Sequence, residues 1–218
     1  MVKDEGRVVL IVEGGGDGRN DLKVECRRGF NRLLERAGWS KRMPRIVAAG
    51  SRNNAYSVFA GMFEDLLTKR SRELPLLLVD SEGPVSTASP WAHVKGRTLD
   101  GWERPEGAED DQLHLMVQCM EAWFLADREA MKAFFGKGFR ENALPAATRH
   151  LETIPPAEVV QALARAAGGA AKEGYRKGAH SFKLLAVLDP AKIRAASPWA
   201  ERFFSVVDRL AAPGASGP

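Results

Sequence analysis

Two uninterrupted apolar runs constrain this chain most: Arg7 to Val12 (RVVLIV), which stops at Glu13 and a glycine cluster, and Leu74 to Asp80 (LPLLLVD). Strands with one wet face alternate apolar and polar residues, whereas runs that are apolar throughout suit strands buried on both faces of a parallel sheet. Between them, residues 20–37 carry Leu22, Val24, Phe30, Leu33 and Leu34 at roughly helical spacing, with Gly38 placed as a C-cap. A shorter strand, Pro44 to Ala48, breaks at Gly50. Ser51 can cap a helix over residues 54–69, whose Val58, Phe59, Met62, Leu66 and Leu67 form one apolar face. The β-α-β-α-β order predicts an α/β fold with a mostly parallel, Rossmann-like sheet and helices on both faces.

Residues 83–111 are polar, punctuated by Pro and Gly, and longer than an ordinary connection, so they are expected to lack regular structure and to cover a site. LHLMVQ (residues 113–118) resumes as a strand and runs into a helical stretch, CMEAWFLADREAMKAFFG, ended by Gly136. The remainder is alanine-rich and helical, with Pro155–Pro156 opening one helix and Ser197–Pro198 another. The expected division is an α/β core over 1–135 containing the 83–111 loop, a helical C-terminal part over 136–211 packed on it, and a disordered tail over 212–218.

With 218 residues, 44% of them hydrophobic, the chain is long enough to bury a real core. No apolar run approaches the roughly 20 residues needed to cross a bilayer, and the N-terminus lacks a cleavable leader, so a cytoplasmic protein away from membranes is expected. Cys26 and Cys119 form no CxxC pair, which points to core thiols rather than a disulfide framework or zinc knuckle. A net charge of +4 is compatible with a polyanion partner.

The informative convergence is chemical. VEGGGDG and VDSEG each follow a buried strand, so the fold brings their carboxylates to one end of the sheet, where ligands of such sheets bind. Hard cations such as magnesium take oxygen ligands, and carboxylates on rigid strand ends suffice for a site. Asp80 and Glu82 project the same way if the backbone stays extended. The glycines after Glu13, Gly15 and Gly16 among them, leave room for a phosphate to approach the backbone. Ser51 and Arg52, at a helix N-terminus, are candidates to hold a phosphate, against the alternative of a simple cap. Asp17 and Asp80 taken singly also fit a helix cap. No Walker A loop, GxGxxG fingerprint, Ser-His-Asp arrangement or metal spacing among His93, His114, His150 and His180 is present.

A Glu-Gly after the first strand, an Asp-x-Glu after the third, and β-α-β-α-β between them resemble the Toprim domain of topoisomerases, primases and OLD-type nucleases. VEGGGDG resembles the OLD-type variant, with a second acid, here Asp17, four positions beyond the glutamate. VDSEGPV, WERPEGAEDDQLHLMVQCMEAWFLAD and YRKGAHS together resemble a bacterial family catalogued as a domain of unknown function, similar to RloB-type proteins and often encoded beside ATPases in anti-phage loci. The resemblance implies that Glu13 is a metal ligand or general acid/base and that Asp80 and Glu82 bind magnesium, with Glu82 standing where topoisomerases carry a second aspartate. It makes Glu121 a candidate fourth acidic ligand and Lys177 a candidate to stabilise a pentavalent phosphate, against a solvated basic turn.

The expectation is therefore a Toprim-like nuclease that uses magnesium or manganese on DNA or RNA beside an ATPase partner, as a monomer or a homo-oligomer. Metal would activate water and neutralise charge developing on the scissile phosphate. Two rivals remain: a non-catalytic interaction subunit of an ATPase complex, and a phosphoryl enzyme acting on a nucleotide.

Overall fold

A computed structural model describes residues 7–16, 18–39, 43–69, 73–171 and 174–211. Asp17, the side chain of Leu67 and the expected tail over 212–218 lie outside the described residues. Four strands, β1 (Val8–Val12), β2 (Arg45–Ala48), β3 (Leu74–Asp80) and β4 (Leu113–Met116), pair in the order β2-β1-β3-β4, all parallel. Ile11 lies opposite Val47 on one side and Leu77 on the other, and Val79 lies opposite Leu115.

The continuous apolar runs have the cause that the sequence suggests. Successive residues of a strand point to opposite faces. Leu10, Val12, Leu76 and Leu78 face a core shared with Phe30, Leu33 and Leu34 of α1 (Asn20–Arg36). Val9, Ile11, Leu77 and Val79 face a second core with Ala55, Phe59 and Phe63 of α2 (Arg52–Lys69). The chain leaves β1 for β2 on one side and returns past β1 to β3 on the other. Crossovers of a single hand then place α1 and α2 on opposite faces, and the order reverses between β1 and β3.

Several sequence expectations need correction. Val24 and Val58 are exposed, 51% and 38%, because the buried stripes of their helices run through Cys26, Phe30 and Leu33, and through Ala55 and Phe59. The 83–111 segment is not devoid of regular structure: it contains α3 (Pro90–Gly96), opened by a proline at N1 and anchored by buried Trp91 and Trp102. The stretch after β4 is not one helix. A 3-10 segment, Met120–Ala126, ends at Asp127, whose carboxylate accepts the Ala130 N–H at 3.3 Å and so caps α4 (Arg128–Phe135).

The C-terminal elements are α5 (Pro156–Ala167), α6 (Ser181–Leu185), α7 (Pro190–Ala196) and α8 (Pro198–Ala211). Phe203 and Phe204 of α8 are fully buried in the same core as Met116 and Trp123. Each buried phenylalanine contributes about 1.5–3 kcal/mol. On the other flank, α6 packs against α1 at Gly29, where a Cβ would lie 2.6 Å from the Phe182 carbonyl oxygen. No helix among the described residues is long and apolar enough to cross a membrane.

Candidate metal centre

Because β1 and β3 are neighbours, their carboxyl ends deliver Glu13 and Asp80 side by side, at the point where the strand order reverses. Ligands of open α/β sheets bind in that crevice. One oxygen each from Glu13, Asp80 and Glu82 lies within 4.8 Å of the others. Glu13 continues the ladder, its N–H donating to the Leu78 carbonyl at 3.1 Å, and its Oε2 accepts the Asp80 N–H at 3.2 Å. Just beyond, Gly14 and Gly50 exchange backbone hydrogen bonds of 2.8 and 2.9 Å, tying the loops after β1 and β2 together.

The expected extended backbone through Glu82 is not what aligns the pair. Glu82 has φ +58°, a left-handed turn that non-glycine residues seldom adopt. Its N–H donates to the Gln118 carbonyl at 2.9 Å, which fixes the turn while the exposed side chain returns toward Asp80 and Glu13.

The electrostatics leave negative charge short of compensation. Asp80 is buried, and among the described residues its Oδ1 accepts one hydrogen bond, from the Met120 N–H at 2.7 Å. Burial, then Glu13 and Glu121, push its carboxyl well above the usual carboxylate range. Burial raises Glu13 also, against the pull of the Arg52 guanidinium, whose Nη1 lies 3.5 Å from Oε2. Glu121 is 1% exposed; Tyr175 and Ser181 hydroxyls donate to its Oε1 at 3.0 and 3.3 Å, while its buried Oε2 accepts no hydrogen bond among the described residues. Lys177 Nζ stands 3.8 Å from that oxygen, and although burial works against its charge, Glu121 and Asp80 raise its pKa.

Buried carboxylate oxygens with so few donors fit a hard cation, which prefers oxygen ligands and keeps some of its water. Glu13, Asp80 and Glu82 would hold it, with Glu121 beside them.

The other sequence candidates fall as follows. Gly15 and Gly16 have φ +90° and +64° in the loop beside Glu13, and a Cβ on Gly15 would lie 2.9 Å from Lys23 Cγ. Ser51 directly precedes α2, and its carbonyl accepts the Ala55 N–H at 3.0 Å. Arg52 turns inward: its Nε and Nη2 bind Asp100 at 2.8 and 2.7 Å, its Nη1 donates to the Asp80 carbonyl, and its guanidinium lies 4.6 Å over the Trp102 ring. Cys26 and Cys119 are buried free thiols, pushed up to about 12 chiefly by that burial. Sequence reasoning missed Asp100, Arg97, Tyr175 and Ser181. Tyr175 and Ser181 bracket the YRKGAHS motif that drew attention to Lys177. Asp100 carries no signal, because it meets Arg52 only once a long loop folds back.

No curated protein and no solved structure matches the chain. A family model does match, over residues 12–208, from the last residue of β1 to the last turn of α8. The matched span contains every residue of the acidic cluster and each side chain that supports it, and the chain thus belongs to the family described as Domain of unknown function (DUF4276).

Proposed function

We propose that the protein is a magnesium- or manganese-dependent nuclease of Toprim type, hydrolysing phosphodiester bonds of DNA or RNA. The observation that carries this reading is the convergence of Glu13, Asp80 and Glu82 within 4.8 Å at the reversal point of a parallel sheet. A bound divalent ion would supply Lewis-acid polarisation of a phosphoryl oxygen and acidify a water. The residues around it divide the remaining tasks. Glu13, at the carboxyl end of β1, takes the metal-ligand or general acid/base role that the resemblance implies. Lys177 is 65% exposed and stays charged, so it can meet an equatorial phosphate oxygen. Lys23 beside Gly15 and exposed Arg176 beside Lys177 extend positive charge along the glycine loop, where a phosphate backbone would run. The resemblance to RloB-type and OLD-type proteins adds an ATPase partner to the reading, one that licenses or targets cutting.

The test is cleavage of plasmid, single-stranded DNA and RNA by the purified protein in magnesium or manganese, with and without a candidate partner ATPase. Glu13→Ala and Asp80→Ala are expected to lower the rate at least about 100-fold. Cleavage indifferent to both substitutions would remove the proposed centre. Metal binding without cleavage under any condition would instead favour a non-catalytic interaction subunit.

A further inference from the structure

The 83–111 segment reaches the acidic cluster through one buried carboxylate that touches none of the cluster's side chains. The side chain of Asp100 is 2% exposed, yet it accepts two N–H groups of Arg52, Nε at 2.8 Å and Nη2 at 2.7 Å, and forms an ion pair with Arg97, whose Nε lies 2.8 Å away. The two arginines pass this anchoring on to the strand end. Arg52 Nη1 donates to the Asp80 carbonyl, Arg97 Nη1 donates to the Ser81 carbonyl, and His93 Nε2 lies 3.0 Å from that same carbonyl. Trp102 stacks under Arg52 and in turn on Tyr56, 4.7 Å between centroids and 7° from parallel, so the guanidinium has a fixed floor.

Arg52 thus stands between two carboxylates and is shared unequally. It makes a two-pronged pair with Asp100 at 2.7–2.8 Å and a single, longer approach of 3.5 Å to Glu13. A planar guanidinium prefers the bidentate partner. Were Asp100 neutral, the same cation would find its full partner in Glu13, across a gap of under one ångström of adjustment. An arginine closed on Glu13 competes directly with a divalent ion for that carboxylate.

We propose that Asp100 is a positioning residue of the cation site, holding Arg52 in a bidentate pair and so leaving the carboxylate of Glu13 free to bind metal. The inference rests on the metal-site reading given above and adds to it a residue from the long loop.

Manganese binding to the full chain, followed by electron paramagnetic resonance or calorimetry alongside thermal melting, tests it without reference to catalysis. Asp100→Asn keeps the shape and is expected to weaken manganese about 10-fold, the scale of lost outer-shell support. Arg52→Gln removes the competing cation and is expected to bind manganese at least as tightly as the wild type. The double variant is expected to recover the affinity of Arg52→Gln, a rescue that a merely structural role for Asp100 would not produce. Wild-type affinity in a folded Asp100→Asn, or a double variant as weak as Asp100→Asn, overturns the proposal and leaves the metal site standing. Should Asp100→Asn not fold, Arg52→Lys replaces it: a lysine keeps the charge without the two-pronged hold, so it must bind manganese more weakly than Arg52→Gln, and equality overturns the proposal. A wild type that binds no manganese removes the metal reading and this inference with it.

Discussion

At Asp80, burial and the charges of Glu13 and Glu121 favour the protonated carboxyl, so its folded pKa stands above the unfolded value. Between those two values the folded chain holds the proton more tightly, and its stability falls as pH rises. In metal-free buffer Asp80→Asn should therefore melt higher than the wild type at pH 7.5, with the gap closing near pH 4. Manganese at one hundred times its Kd should stabilise the wild type by about 2.7 kcal/mol and Asp80→Asn far less. Melts at both pH values, with and without manganese, measure all of this. His114 has the opposite sign. It is 1% exposed, edge-on to Phe203, and burial followed by Arg202 lowers its pKa from 6.5 to about 3, although Asp111 opposes the shift. The unfolded chain then binds the extra proton, so this contribution to stability is complete above pH 6.5 and is lost as pH falls toward 3. His114→Phe is expected to flatten that acid limb and to leave neutral-pH stability unchanged or raised by about 1 kcal/mol, read from denaturant melts across pH. Glu13 and Asp80 were legible in the sequence because each terminates an apolar run. Asp100 and the hydroxyls on Glu121 were not, since their contacts span 48 to 60 residues and follow no periodicity.

Among the elements, β1 and β3 were legible to within a residue or two, because a strand buried on both faces leaves an unbroken apolar run. The 3-10 segment over Met120–Ala126 was not, since its apolar residues read equally well as a helix, and only the capping carboxylate of Asp127 marks the break. Nor does helical periodicity alone show where two helices touch. Gly29 reads as a weak spot in α1, yet it is where the α6 backbone crosses, with Phe182 O 2.6 Å from a would-be Cβ. Gly29→Ala should push α6 outward and destabilise the fold by about 1–3 kcal/mol in denaturant unfolding, despite the better helix propensity of alanine. Ser181 opens α6 and donates to Glu121, so the same substitution should also weaken manganese binding.

Over the whole molecule, the α1 side of the sheet and the C-terminal helices share one continuous core, from Leu10 and Phe30 through Trp123 to Phe203 and Val207. A chain ending after Phe135 would expose that entire face. It is expected to show no cooperative thermal transition by circular dichroism, whereas the full chain melts in one step. The hydroxyls that reach Glu121 belong to residues 175 and 181, far downstream of Glu13 and Asp80. On the ribosome, the strand ends emerge first and wait for the downstream residues before Tyr175 and Ser181 can reach Glu121. An unfinished polypeptide therefore carries the acidic residues without their completed surroundings, which form only after residue 181 has left the ribosome.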